Sequence, residues 1–515
     1  MRWGLIAGLL IAGCGWGEAP VEKKPGKRKK EPATAVAAPE GLPNVLVIVW
    51  DTVRADRTTM YGYSKPTTPR TDAWARAQGI VYERAVSPGV WTLPSHASLF
   101  TGLPERAHGV DASHNWLDDA HVTVAESLSR SGFDTYAFVA NPYLPKGTNL
   151  LQGFAKVEMP WSPRWRPGVE AHMKAKLIAE DASTPVSPAF AGKGGAGNNK
   201  YLFKEAGPVA AQALFSWVEG RPEAERPWFA FINYMEAHLP RIPSMEARRQ
   251  VMSEDLIRRS FGVIQSTTTF HEYMVGVHRY DPLDLEAISG VYDASLIDLD
   301  AATAGLLEEL DRRGLAEDTI VVLTSDHGEN LGDHDLLLHK YTVANSLSRV
   351  PLVVAWKGHT PPGREAAPTS VSAALVSALD LGKIPLDAEL RERLQGRDPD
   401  ARGAVAEYGA IADGSIDRMK KLHPDASTAR LERTYEGIEH DRWKLVLAMD
   451  GSAELYDVLA DPGETRDVAA EHPEVVAELK QRLEGFREDW PKWVPQQSGK
   501  HPRDEGLKEG LEALG

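Results

Sequence analysis

The sequence predicts an α/β fold: a central mixed, mostly parallel sheet flanked by helices, followed by a small C-terminal α+β subdomain. Three observations carry this prediction. Asn44–Trp50 (NVLVIVW), residues 227–234 and residues 319–323 are unbroken apolar runs rich in β-branched and aromatic residues, the pattern of strands buried on both faces. A helical period lies between the second and third, where Ile288, Val291, Tyr292, Ser295, Leu299, Ala302, Leu306 and Leu310 recur every three or four residues. Each run also ends at residues that can do chemistry, Asp51, Glu236 with His238, and Asp326 with His327, and the carboxyl ends of parallel strands are where ligands collect. At 515 residues and 42% hydrophobic content, the chain can bury a large core. Its formal charge of −15 excludes a general nucleic-acid binder, because a phosphate backbone would be repelled.

The amino terminus reads as an export signal. Residues 1–14 combine a positive start, a short apolar run and small residues before Cys14, and the run is too short to span a bilayer. Its end, Ile11-Ala12-Gly13-Cys14, resembles a bacterial lipoprotein signal, in which the cysteine becomes the lipidated first residue. Cys14 is the single cysteine, which excludes disulfides and leaves no thiol for catalysis in the mature domain. Residues 15–43, rich in Pro, Ala, Lys and Glu, read as a flexible tether. The expected location is the bacterial cell envelope, lipid-anchored on the periplasmic or outer-surface side. A catalytic domain is expected over 44–400, a C-terminal subdomain over 401–489 and a polar tail over 490–515.

In chain order, the strand ending at Trp50 delivers Asp51, and a helix is expected from Thr67-Thr68-Pro69 through Gln78, then a strand over 80–85. Residues 92–102 (TLPSHASLFTG) read as a short helix with Thr92 as N-cap, Pro94 in the first turn and Gly102 as its end. A hydroxyl there faces unpaired N–H groups and the positive end of the helix dipole, which favour an alkoxide or an incoming oxyanion. A helix over 123–130 and a strand over 134–140 add a further β/α repeat. The Gly192–Gly197 run is no phosphate-binding loop, since no strand precedes it and no Lys-Ser/Thr closes it. Asp293, Asp298 and Asp300 on the long helix read as solvated or capping charges. Gly328 lets backbone approach the Asp326-His327 pair. Residues 241–282 carry no readable signal. Strands over 442–447 and 454–457 and a helix over 473–487 make up the C-terminal subdomain.

Trp91–Gly102, Asp51–Asp56, Thr324–His334, His339-Lys340 and Arg349–Leu352 together resemble the sulfatase family of the alkaline phosphatase superfamily, over most of 44–489. The resemblance implies one divalent metal held by Asp51, Thr92, Asp326 and His327. It also implies His238 as the histidine that contacts the sulfate or phosphate group, Lys340 as the lysine that neutralises it, and His339 as a proton donor to the leaving oxygen. His96 stands where the family has an arginine, as a further offset to oxyanion charge. Four further places depart from the pattern. Thr92 replaces the Cys or Ser that becomes formylglycine, and Thr52 replaces a second adjacent Asp. Asn141-Pro142 stands in place of a Gly-Lys-Trp-His stretch. Tyr234 replaces an Asp four residues before His238, against a second metal. Thr at the nucleophile position and Asp-His at 326–327 are features of phosphorus-directed relatives. One nitrogen among oxygens suits Zn²⁺ or Mn²⁺ better than Ca²⁺.

The expected function is a metal-dependent hydrolase of phosphate, phosphonate or sulfate esters, with phosphorus favoured and Thr92 as direct nucleophile. The alternatives are a sulfatase proper, a phospho-headgroup transferase, and a non-catalytic metal-free binding lipoprotein. The expected partners are a small-molecule, glycan or lipid ester, and a membrane reached through the N-terminal anchor.

Overall fold

A computed structural model describes residues 41–145, 147–178, 204, 206–388, 390–391, 403–409 and 414–494. Cys14, the tether up to residue 40, the Gly192–Gly197 run and the tail from residue 495 lie outside the described residues.

An eight-stranded sheet runs in the order β10-β2-β9-β6-β1-β5-β3-β4. Its strands are β1 (Asn44–Trp50), β2 (Gly79–Val86), β3 (Asp134–Val139), β4 (Lys156–Glu158), β5 (Trp228–Tyr234), β6 (Thr319–Ser325), β9 (Leu352–Trp356) and β10 (Gly363–Ser370). Only β9 runs against its neighbours, so the sheet is mixed and mostly parallel as expected. β1 lies between β5 and β6, and it is apolar on both faces because both are covered. Leu46, Ile48 and Trp50 point into one core, with the helices Gly207–Glu219 and Pro282–Arg312. Val45, Val47 and Val49 point into the other, with the helices Thr92–Thr101, Val124–Arg130 and Val371–Leu381. The short pair β7 (Asn330–Leu331) and β8 (Leu337–Leu338) forms a separate ribbon.

The helix starts follow from local chemistry. Thr123 and Glu126 close a capping box, as do Asp281 and Asp284 at the head of the 31-residue helix Pro282–Arg312. Residues 241–282, unreadable in sequence, hold three helices, Met245–Val251, Glu254–Gly262 and Thr267–Met274, each capped by a serine: Ser244, Ser253 and Ser266. Of the aspartates of the long helix, Asp293 and Asp300 are buried and Asp298 is partly exposed, and Asp300 caps the first turn of the helix Pro69–Gln78. Asp293 is fully buried and accepts bonds from Arg57, Tyr63 and Lys65. Asp300 accepts the backbone N–H groups of Arg70 and Thr71, and Asp298 binds Ser244. These carboxylates tie loops to the helix that spans one face of the sheet.

A four-stranded antiparallel sheet, β11 (Ala404–Tyr408), β12 (Tyr435–His440), β13 (Trp443–Ala448) and β14 (Ala453–Asp457), packs with the helix Pro473–Asp489. It reaches the loop before Thr92: Glu407 N–H donates to Pro88 O at 2.8 Å, and Gly89 bridges to Glu407. Two buried carboxyls sit at this junction. Glu407 accepts Arg106 N–H and Glu105 accepts Gly409 N–H. Burial pushes Glu407 up to about 7, and burial together with the neighbouring Glu407 pushes Glu105 well above the usual carboxylate range.

Because the folded state holds these protons more tightly than the unfolded chain, the contribution of Glu407 is full below pH about 4.5 and is lost as pH rises through about 7. For Glu407 the shift corresponds to roughly 3 kcal/mol. Thermal melts at pH 5 and pH 8 are expected to show a smaller loss of stability with rising pH in Glu407→Gln than in the parent.

Candidate metal centre and active site

The parallel pairing of β1 with β6 sets Trp50 opposite Ser325, so the next residue on each strand, Asp51 and Asp326, emerges at the same edge. Thr52 connects them. Its backbone takes φ +62°, its N–H donates to Asp326 Oδ1 at 3.2 Å, and its hydroxyl donates to Asp51 O at 2.7 Å. The turn is held from behind, where Ser325 Oγ accepts Val53 N–H and the Tyr292 hydroxyl donates to Thr52 O. The position read as a missing carboxylate therefore gives its N–H to the Asp326 carboxylate and its hydroxyl to the Asp51 backbone.

Asp51 Oδ2 accepts Asn141 Nδ2–H at 2.7 Å, and Asp326 Oδ1 accepts the N–H groups of Thr52 and His327. His327 Nδ1 donates to Gly328 O at 2.9 Å, which leaves Nε2 as the basic nitrogen. Asp51 Oδ1, Asp326 Oδ2 and His327 Nε2 are buried with no hydrogen-bond partner in the fold. Ligand atoms of these three residues lie within 4.8 Å of one another. Three orphaned acceptors converging in a dry site fit a divalent cation, which would satisfy all of them at once. The proton equilibria agree. Burial raises Asp51 to about 6, against the Asn141 bond. Burial, then the Asp51 charge, raises Asp326 well above the carboxylate range, and burial depresses His327.

Thr92 is the first residue of its helix and Trp91 is the cap, one residue earlier than expected. Ser95 N–H bonds Trp91 O and the Ser95 hydroxyl returns to Trp91 O and Gly89 O, which closes the first turn over Trp91. Thr92 is 4% exposed, and its Oγ1 lies 3.3 Å from Asn141 Nδ2, so one amide reaches both Thr92 and Asp51. Asn141 is two residues beyond the end of β3, a strand-end position that the sequence reading treated only as the loss of a lysine.

His339 stacks on His327 with ring centroids 4.6 Å apart, and His238 lies 5.0 Å from His339. Burial depresses His238, and the neighbouring His339 and Lys204 add to the effect. Lys340 Nζ stands 5.8 Å from the ring centroid of Trp91, next to Thr92. Asp51, Thr92, Asp326, His327, His238 and His339 are thus brought together, with Lys340 beside Trp91. His96 is different. It is fully buried, its Nδ1 bonds Thr92 O at 2.8 Å, its ring packs against Phe100 and Phe231, and burial takes it down to about 4. Its Nδ1 also lies 3.6 Å from Asp326 Oδ2, so His96 meets the carboxylate pair from the enclosed side of the helix. Glu236, at the end of β5, also turns away and accepts Gly207 N–H and Met235 N–H. Lys204, absent from the sequence reading, is buried and donates to Met235 O and His238 O. No motif surrounds it, and only the tertiary structure brings it to this edge.

The Sulfatase family model matches residues 43–384. The N-acetylgalactosamine-6-O-sulfatase of Bacteroides thetaiotaomicron is 25% identical, covering 94% of this chain and 98% of its own. Arylsulfatase A of Homo sapiens is 27% identical, covering 87% of each. The crystal structure of a phosphonate monoester hydrolase of Agrobacterium radiobacter superposes with a TM-score of 0.64 at 22% identity, covering 87% of this chain and 95% of that one.

Added Zn²⁺ or Mn²⁺ is expected to raise the melting temperature of the parent, by the equivalent of about 3 kcal/mol at a hundredfold excess over Kd. Asp326→Asn and His327→Ala are expected to lose that shift, as read by calorimetry. Gly328→Ala is expected to weaken it too, because a Cβ there would lie 2.0 Å from Ser346 O and displace the strand-end loop.

Proposed function

The chain belongs to the sulfatase family, and from that premise we propose that it is a metal-dependent hydrolase of phosphate or phosphonate esters with Thr92 as the direct nucleophile. The observation that carries this reading is the sharing of Asn141 between Thr92 Oγ1 and Asp51 Oδ2, which sets a hydroxyl at a helix N-terminus beside the metal-ligating carboxylates. Phosphorus is favoured because a threonine hydroxyl attacks without prior oxidation, and similarity to a phosphonate monoester hydrolase structure accompanies that preference.

Asp51, Asp326 and His327 would hold the cation, and two oxygens with one nitrogen favour Zn²⁺ or Mn²⁺. When bound, the cation supplies positive charge that lowers the pKa of a nearby hydroxyl and polarises a phosphoryl oxygen. The Thr92 hydroxyl gives its proton to solvent and attacks phosphorus in line. The new Thr92 Oγ1–P bond forms as the P–O bond to the leaving group breaks, and His339 protonates the departing oxygen. Water then attacks the phospho-threonine, passes its proton to His238, and frees Thr92 and the product. Lys340, beside Trp91, offsets charge on the non-bridging oxygens. The substrate would be a small-molecule, glycan or lipid ester. The lipid anchor at Cys14 and an envelope location belong to the same proposal and rest on the Ile11–Cys14 pattern alone. Among the described residues no helix is long and apolar enough to cross a membrane.

A second reading, hydrolysis of sulfate esters, is favoured by the relatives whose names are sulfatases. The test is turnover of matched aryl phosphate monoesters, phosphodiesters, phosphonates and sulfates by the Zn²⁺- or Mn²⁺-loaded protein beside Thr92→Ala. Phosphorus turnover is expected to exceed sulfate turnover and to fall roughly 10³-fold or more in the variant. Sulfate turnover that survives Thr92→Ala would overturn Thr92 as the nucleophile.

A further inference from the structure

A buried ion pair behind the site has no part in metal binding or in the attack. Arg241 and Glu329 have side chains only 1% exposed and bond through Arg241 Nη2 and Glu329 Oε2. Burying two opposite charges carries a desolvation cost that a pair of apolar side chains in the same space would not. Both partners are also fixed from other sides. Arg241 Nε donates to Ala237 O at 2.9 Å and its guanidinium lies 5.1 Å from the centre of the Tyr292 ring, while Arg54 Nη1 donates to Glu329 O at 3.1 Å. The pair is therefore rigid. With Oε2 engaged by Arg241, the other oxygen, Oε1, lies 3.2 Å from His339 Nδ1.

His339 is the partly exposed member of this chain, at 16% against 1% for Glu329. Its ring stacks on His327 and lies beside His238. A carboxylate at Nδ1 keeps one proton on Nδ1 and holds the ring plane, so the second proton of the imidazolium sits on Nε2, the nitrogen available to a bound ester. A loose histidine, free to turn about its two side-chain bonds, would offer either nitrogen. We propose that Glu329, held by Arg241, is a positioning residue for the reaction: it fixes the ring orientation of His339 and keeps the Nδ1 proton in place, so that the imidazolium gives its Nε2 proton to the leaving oxygen. The inference rests on the ester-hydrolase reading above and adds the residues that aim the proton donor.

Removing Glu329 alone would strand a buried guanidinium, so the test replaces the pair. Arg241→Met/Glu329→Leu removes the acceptor, and Arg241→Met/Glu329→Gln restores one for Nδ1–H. Each is compared with the parent and again in a His339→Ala background, using phosphate or phosphonate esters with good (nitrophenyl) and poor (alkyl) leaving groups. The leucine pair is expected to lower kcat on the poor leaving group roughly 10- to 100-fold with KM little changed, as loss of an orienting hydrogen bond does. The loss should be several-fold smaller on the good leaving group, which departs without protonation. The glutamine pair should recover most of the activity, and neither pair should reduce activity further once His339 is alanine. Equal losses on both leaving groups, or losses that persist in His339→Ala, would overturn the proposal, as would a His339→Ala variant as active as the parent. Should the leucine pair fail to fold by circular dichroism, Arg241→Leu/Glu329→Met removes the same acceptor and runs the same cycle against His339→Ala. If Thr92→Ala retains turnover, the underlying reading falls; if Thr92→Ala is inactive and the cycle shows no coupling, only the role of Glu329 falls.

Discussion

Two carboxylates buried side by side are the constraint on which the rest of the structure depends. Asp51 and Asp326 sit at the ends of adjacent parallel strands, out of reach of solvent, with one oxygen each lacking any partner in the fold. Such a pair repels itself and loses hydration, so the chain alone holds it at a cost. The surrounding bonds all work against that cost: Asn141 on Asp51, two backbone N–H groups on Asp326, and Thr52 in a left-handed turn joining both. A divalent cation would turn the same arrangement from a liability into a binding energy.

The rigidity this demands comes from distant parts of the chain. Tyr292, from the long helix, both donates to Thr52 O and accepts Arg54 N–H, so the helix that covers one core also clamps the turn after β1. On the other side Gly328 packs against the Ser346 carbonyl with no room for a Cβ. The C-terminal sheet props the loop before Thr92 through Glu407 and Pro88. Lys444 of β13 reaches Val343 O and Ser348 Oγ in the segment that follows His339-Lys340, and forms a buried pair with Glu464. The second sheet is therefore part of the support of the site.

The strands and the long helix were legible because they rest on local patterns. Unbroken apolar runs ending in Asp51 and Asp326-His327 state both a buried strand and what stands at its end. Even in residues 241–282 a local signal was present, since Ser244, Ser253 and Ser266 each head a helix. What failed did so through context. Asp293 follows a helical period that looks solvated, yet Arg57, Tyr63 and Lys65, from far along the chain, cover it.

By itself the sequence determined the parallel sheet, the strand ends that carry chemistry, and the family to which the chain belongs, because periodicity and short motifs are properties of neighbouring residues. Only the tertiary structure decided which side chains face one another across hundreds of positions. It set Asn141 between Thr92 and Asp51, put the Thr52 N–H on the Asp326 carboxylate, brought Lys204 to the end of β5, and placed Glu329 between Arg241 and His339. The physical reason is that a hydrogen bond depends on distance in space, and strand register and helix packing fix that distance without leaving a trace in the spacing of residues.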